Sequence, residues 1–216
     1  MDGMEQTISL VQRLAERRPL QRLKPVGGVW SAELDDAIAQ ARAAVGRSGT
    51  AKGKRGDEAL AFWAGLHLWN DSLDVSHAIS QHIETPTGSL WHGIMHRMEG
   101  DYGNAKYWFA RAGDHPLYAD LHRIAVGLLK SSAETALPGG AVRSRDELTA
   151  LAEARAWDPR RFVDAVERQV TRERDPQAVS LLERLQWHET ALLLAYGYRE
   201  ATGGNELPVP GLSANG

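Results

Sequence analysis

The spacing of apolar residues is the feature that most constrains the fold of this chain. The segment "MEQTISLVQRLAERR" carries Ile8, Val11 and Leu14 at the three- and four-residue intervals of an amphipathic α-helix. Similar intervals recur along most of the sequence, and no stretch shows the two-residue alternation of a half-buried strand. The pattern predicts an all-α protein, built as an irregular multi-helix array of antiparallel helical hairpins.

Glycine, proline and capping residues divide this predicted single domain into five parts. These are N-terminal helices at 1–45, a flexible basic loop at 46–56, a central helical array at 57–135, C-terminal helices at 144–204 and an extended tail at 205–216. Within the array, helices are predicted at 58–69, 72–83, 87–99 and 102–112, with Asp71 and Asp101 as N-caps. A long helix is predicted at 177–201.

Composition excludes several classes of function. The net charge of −3 gives no basic face for a nucleic-acid backbone. No apolar run approaches the roughly 18 residues that a membrane span needs, and the start "MDGMEQTISL" does not resemble a secretory signal. We therefore expect a cytoplasmic protein with no nucleic-acid or membrane partner. The chain contains no cysteine, so a bound metal would need His, Asp, Glu or water as ligands.

The segment "SHAISQHIETPTGSLWHGIMH" places four histidines between Ser76 and His96. Two helices flank the short "IETPTGS" connection, and a connection of that length predicts antiparallel neighbours. At about 100° per residue, each helix has one polar face, and the two faces lie at matching heights on adjacent helices, with Arg97 at the margin of the second. The two faces are Asp74, His77, Gln81 and Glu84 on the first helix, and His92, His96 and Glu99 on the second.

These facing side chains indicate a His/carboxylate cleft between the helices, which we hypothesise binds a divalent metal or a small polar ligand. His77, His92 and His96 are the predicted metal ligands, because two histidines four residues apart on a helix can hold one ion. The ion would be Zn, Mn, Ni or Fe. Asp74 and Glu99 are the candidate catalytic groups, which would orient an imidazole or act as base in a hydrolytic reaction.

Three further residues are candidates for ligand binding. Gln81 shares the polar face of the first helix, Lys106 offers a cation to an anion, and His115 can lean over the top of the cleft. The frame "HGIMH" has both histidines of the zinc-protease motif, but Gly93 stands where that motif has its catalytic glutamate. A zinc peptidase is therefore disfavoured.

The alternative interpretation is a noncatalytic protein-interaction module with structural histidines. Polar faces opposite apolar faces are typical of surface helices. In that case the interaction surface would be a groove lined by Trp and Tyr, or the helix predicted at 177–201 would form a homo-oligomer.

Two resemblances bear on this choice. The segment "GIMHRMEGDYGNAKYWFARAGDHP" resembles part of a tetratricopeptide repeat, on the strength of Gly93, Ala105, Phe109 and Ala112, although Ser89 and His92 depart from that pattern. This resemblance implies that the helix carrying His92 and His96 packs on the helix at 102–112, where Asn104, Tyr107 or Trp108 would bond to these histidines. Residues 66 to 116 also resemble a family of uncharacterised bacterial and fungal proteins, which implies a shared fold and no mechanism.

Overall fold

The computed structural model describes residues 3–47, 52–135 and 142–212. Over these residues the chain forms ten α-helices and one π-helical turn, and no strand is present there, so the predicted all-α fold is confirmed. The helices are α1 (Gly3–Ala15), α2 (Ala32–Arg47), α3 (Lys54–Trp69), α4 (Leu73–Ser80), α5 (Pro86–Glu99), α6 (Tyr102–Ala112), α7 (Leu117–Thr135), α8 (Val142–Glu153), α9 (Pro159–Arg168) and α10 (Pro176–Thr202), with the π-helical turn at Gln169–Glu173. Among the described residues, none of the helices combines the length and the apolar character needed to cross a bilayer.

Helix α10, the longest helix, contacts α3, α7 and α8. Aromatic side chains fill its contact with α3: the rings of Phe62 and Tyr198 are 5.5 Å apart, and those of Trp69 and Trp187 are 6.0 Å apart. Burial of each large apolar side chain stabilises the fold by about 1.5–3 kcal/mol. Because the apolar side chains of α10 contact the rest of this chain, they contribute to the core of the domain.

Helices α5 and α6 form the hairpin that places the candidate site. Gly100 ends α5 with a left-handed φ of 90°, and Asp101 begins α6 by accepting a hydrogen bond from the Asn104 N–H. Gly93 lets the two helices approach closely, since a Cβ at this position would lie 3.3 Å from the Phe109 ring. The α6 residues that carry the repeat-like resemblance are all buried: Ala105, Phe109 and Ala112.

The start and the end of α4 differ from the prediction. The helix predicted at 72–83 ends at Ser80. Asp71 does not cap it: its φ is 62°, and its carboxylate accepts hydrogen bonds from Arg17 at 2.5 Å and Gln21 at 2.8 Å. These partners precede Asp71 by 54 and 50 residues in sequence. Ser72 takes the N-cap position instead, without a side-chain hydrogen bond.

The predicted loop is shorter than expected, and part of the predicted tail is buried. Helix α2 extends to Arg47 and α3 begins at Lys54, so both enter the predicted loop at 46–56, and residues 48–51 lie outside the described residues. In the predicted tail, Leu207 and Val209 are buried in the core. Residues 213–216 lie outside the described part of the chain.

A buried ion pair joins α5 to α10. The Arg97 side chain is fully buried and donates to the two carboxylate oxygens of Glu189 at 2.5 and 3.3 Å and to Gln186 at 3.4 Å. Its guanidinium also lies 4.5 Å from the centre of the Phe162 ring. Arg97, at the margin of the predicted polar face, is therefore buried rather than solvated, and its carboxylate partner lies 92 residues away in sequence.

Removal of one member of this pair should destabilise the protein strongly. Arg97→Met leaves the Glu189 carboxylate buried without its partner, a defect that costs about 3–5 kcal/mol. Urea unfolding should show this loss, and the double variant Arg97→Met/Glu189→Leu should recover part of it. As a control, Arg13→Ala breaks an exposed pair with Glu33 and should cost less than about 1 kcal/mol. Equal stability of Arg97→Met and wild type would contradict this account.

The close contact of α3 with α5 generates a second prediction. A Cβ on Gly65 would lie 2.4 Å from an atom of the Trp91 ring. We expect Gly65→Ala to reduce the free energy of unfolding by about 1–3 kcal/mol. Gly127→Ala is the matched control on α7, where a Cβ meets nothing within 4 Å; it should stabilise the protein by about 0.5–1 kcal/mol. Thermal unfolding of both variants measures the contrast, and the same sign for both would contradict the packing described.

Candidate functional site

The connection between α4 and α5 is short and tightly folded. The Thr85 hydroxyl accepts a hydrogen bond from the Gly88 N–H at 3.1 Å, and Pro86 occupies the first position of α5. Gly88 allows the turn to close against the preceding segment, since a Cβ there would lie 2.5 Å from Ile83 Cγ2. The two helices are therefore held side by side, and their histidines meet.

The three histidines predicted as ligands converge. The ring centres lie 4.8 Å apart for His77 and His92, 5.4 Å for His77 and His96, and 4.8 Å for His92 and His96. One ring nitrogen from each lies within 4.8 Å of the other two. His92 and His96 are 3% and 7% exposed, whereas His77 is half-buried. The cluster therefore reaches the surface beside α4.

Helix α6 forms the third side of this three-histidine cluster. The Trp108 ring stacks on His92 with centres 4.0 Å apart and planes 18° apart. The Asn104 amide nitrogen lies 2.9 Å from His96 Nε2 and donates to it when that nitrogen is unprotonated. Helix α5 therefore packs on α6, as the repeat-like resemblance implies. Its histidines also converge with His77 of α4, as the hairpin geometry predicts.

Burial keeps the imidazoles of α5 neutral near pH 7. It lowers the pKa of His92 to about 4, and the neighbouring His96 and His77 rings lower it further. Burial also lowers the pKa of His96, an effect that the negative charge of Glu99 partly offsets. The buried Nδ1 of His92 finds no hydrogen-bond partner among the described residues. A neutral ring with an unpartnered buried nitrogen is suited to receive a Lewis acid or a proton donor.

The two predicted carboxylates differ in position. Glu99 Oε2 lies 3.2 Å from His96 Nδ1, a distance at which the carboxylate favours a proton on that nitrogen. Asp74 lies one turn before His77 on α4, and its side chain is exposed. Gln81 is the C-cap residue of α4 and is also exposed. Glu99 is therefore the carboxylate that contacts the cluster.

Lys106 and His115 are engaged elsewhere. The Lys106 ammonium lies 2.5 Å from Asp164 and 3.7 Å from Glu167 on α9, so its charge is already compensated. His115 is buried at the other end of α5 from His96: its Nε2 is 3.4 Å from the Thr87 hydroxyl, and its Nδ1 accepts from a backbone N–H. His115 thus forms part of the packing where α7 begins and does not lean over the cleft.

Two residues that contact the cluster, Asn104 and Trp108, are less clearly predicted from the sequence as part of the site. Asn104 and Trp108 are four residues apart on α6, a spacing that puts both on the face toward α5. Trp108 is partly exposed, and its ring covers His92. The i, i+4 spacing was readable from the sequence, whereas contact with the histidines depended on the repeat-like alignment.

Comparisons of the chain with family models, with curated proteins and with solved structures find no match. Functional inference for this chain therefore depends on the geometry and chemistry of the cluster itself.

The free energy of unfolding should decrease as the pH is lowered below 7, because the buried imidazoles are harder to protonate than those of the unfolded chain. Folded His92 takes up its proton near pH 4 and the unfolded chain does so near pH 6.5. Between those values the unfolded state binds the additional proton, so the free energy of unfolding decreases as pH is lowered. His92→Phe retains an aromatic ring against Trp108 and removes the titrating nitrogen.

Urea unfolding at pH 7, 6 and 5 measures this effect. Wild type should lose stability across the series, and His92→Phe should show a shallower loss. Some slope should remain in the variant, because burial also lowers the pKa values of His115 and His188 to about 4. Identical slopes for the two proteins would contradict the environment described for His92.

Proposed function

We propose that the three-histidine cluster binds one divalent transition-metal ion. The observation that carries this proposal is the convergence of three imidazoles from α4 and α5, with ligand nitrogens within 4.8 Å of one another and two of the rings buried. Histidine is the commonest metal ligand in proteins, and three histidine nitrogens are a sufficient protein ligand set for a zinc ion that keeps an open position.

The geometry requires a small contraction on binding. With metal–nitrogen bonds of about 2.1 Å and tetrahedral angles, ligand nitrogens lie about 3.4 Å apart. The three nitrogens of the cluster are up to 4.8 Å apart. Side-chain rotations of His77, which is half-buried, supply most of this adjustment, because His92 and His96 are held on the rigid α5.

The chemistry of the ligands favours particular ions. Imidazole nitrogens suit Zn, Ni and Fe, whereas Mg and Ca prefer oxygen ligands. The low pKa of His92 and the lowered pKa of His96 mean that little proton competition opposes binding at pH 7. Glu99 acts through His96 Nδ1 to orient the ring and raise its basicity.

The reaction class that such a centre supports best is metal-assisted hydrolysis of a small polar substrate. A metal with three histidine ligands has room for a water molecule, whose pKa it lowers to about 7. Asp74, exposed one turn before His77, is the carboxylate available as base. The half-buried position of His77 provides the side from which a substrate approaches.

A second candidate function is supported by the contacts with α6. The Trp108 stack and the Asn104 hydrogen bond are contacts that purely structural histidines would make. In that case the α4–α5–α6 unit is a protein-interaction module and the cluster binds no ion. Metal titration separates the two functions.

The test is metal binding by purified protein that has been stripped with chelator and dialysed. Titration with Zn²⁺, Ni²⁺, Fe²⁺ and Mn²⁺ by calorimetry, together with thermal unfolding, should show one ion per chain and a rise in the melting temperature. His92→Ala and His96→Ala should each abolish tight binding. His82→Ala is the matched control, because His82 is exposed on the same hairpin and should leave binding unchanged.

Two results would contradict the metal site. One is the absence of binding by wild type with any of the four ions. The other is binding that persists in the His92→Ala/His96→Ala double variant, which would place the ion elsewhere. His92→Phe provides a check on folding, because this variant retains the stack with Trp108 and should remain folded while it binds metal only weakly.

A further inference from the structure

The Nε2 nitrogen of His96 already has a partner. Glu99 Oε2 lies 3.2 Å from Nδ1 and favours the proton there, which leaves the lone pair on Nε2. The Asn104 amide nitrogen lies 2.9 Å from that Nε2. An N–H donor and a metal ion cannot share one lone pair. Metal binding through His96 Nε2 therefore requires the Asn104 amide to move.

A rotation of the Asn104 side-chain amide would replace a hydrogen-bond donor with an oxygen ligand beside His96. Its backbone N–H is fixed by Asp101 at 3.1 Å in the first turn of α6, so only the side chain is free to turn. Rotation about its terminal bond exchanges the amide nitrogen for the amide oxygen at nearly the same place. A metal with tetrahedral geometry would put a fourth ligand about 3.4 Å from Nε2, roughly half an ångström farther than the present 2.9 Å contact.

We propose that Asn104 is the exchangeable fourth ligand of the metal centre: its amide N–H holds His96 Nε2 in the metal-free protein, and its amide oxygen binds the ion in the metal-loaded protein. This inference depends on the proposed metal site and specifies how that site is regulated. An amide oxygen is neutral and is a weaker ligand than imidazole or carboxylate. Water or the oxygen of a polar substrate can therefore displace it and gain access to the ion.

The proposal also assigns two contributions to the selectivity of the site. In the metal-free protein, an ion must break the hydrogen bond from Asn104 to His96 before it binds. This cost disfavours the binding of ions that interact weakly with imidazole. The set of three nitrogens and one neutral oxygen adds no negative charge, so it favours ions that bind imidazole well over Mg²⁺ and Ca²⁺. Replacement of the amide by a carboxylate should relax this selectivity.

Two substitutions of similar size separate the roles of Asn104. Asn104→Asp cannot donate to His96 but offers a stronger oxygen ligand, and Asn104→Leu offers neither a donor nor a ligand. We expect Asn104→Asp to bind Zn²⁺ and Co²⁺ more tightly than wild type. Asn104→Leu should bind them roughly 10-fold to 100-fold more weakly, the range found when a partner of a metal site is removed. Calorimetric titration measures the affinities.

Visible absorption of the Co²⁺-loaded proteins provides a further measurement. The spectrum would not change if Asn104 had only a structural role. The d–d bands should change in both Asn104 variants, because the ligand set changes. Asn205→Asp and Asn205→Leu are matched controls at an exposed asparagine outside the cluster, and their spectra and affinities should equal those of wild type. Melting temperatures of the metal-free variants show that each one is folded before titration.

The outcomes distinguish this inference from the proposed function. If wild type binds Zn²⁺ through His92 and His96 but Asn104→Leu binds it as tightly or more tightly, with an unchanged Co²⁺ spectrum, Asn104 only holds His96 and the inference is overturned. If wild type binds no ion, the proposed function itself is wrong. Tighter binding by Asn104→Asp together with weaker binding by Asn104→Leu is the result that supports an amide ligand.

Discussion

The burial of helix α5 determines how each of its polar side chains is used. Every residue from Thr87 to Met98 is buried, so each polar group on this helix needs a partner inside the protein. Arg97 has Glu189 on α10, and His96 has Asn104 and Glu99. The buried Nδ1 of His92 has no hydrogen-bond partner among the described residues. An unpartnered buried ring nitrogen beside two other imidazoles is what distinguishes the cluster from ordinary polar packing.

Helices α4, α5 and α6 enclose the three-histidine cluster on three sides. The turn between α4 and α5 brings His77 opposite His92 and His96, and the α5–α6 hairpin places Trp108 and Asn104 against them. Side chains held on packed helices keep their positions better than side chains on loops, so the donor nitrogens are held close together before any ligand arrives. The opening beside His77 leaves one side of the cluster accessible.

The sequence permitted prediction of the fold class and of the convergence, because both follow from helical periodicity. Histidines at positions 92 and 96 lie on one face of a helix, and the short connection brings position 77 to that face. Other features could not be predicted. The partner of Arg97 is 92 residues away, and Asp71 is bound by Arg17, 54 residues away, so neither contact appears in a local pattern.

The roles expected for Lys106 and His115 show the same limit. Lys106 lies on a helix whose neighbour, α9, comes some fifty residues later and supplies Asp164 and Glu167. His115 lies two residues before α7, and its ring contacts Thr87 of α5 and Tyr196 of α10. The partners of these two groups depend on which helices are neighbours in the folded protein. Helical spacing in the sequence does not specify those neighbours.

X-ray absorption at the zinc edge of the metal-loaded protein tests the central claim most directly. The account predicts a first shell at about 2.0–2.1 Å that contains three imidazole nitrogens, which histidine rings reveal by their multiple-scattering pattern. The same measurement on His92→Phe should show a reduced imidazole number. A first shell of oxygen atoms alone, or one that is unchanged in His92→Phe, would contradict the claim that the three converging rings form the metal centre.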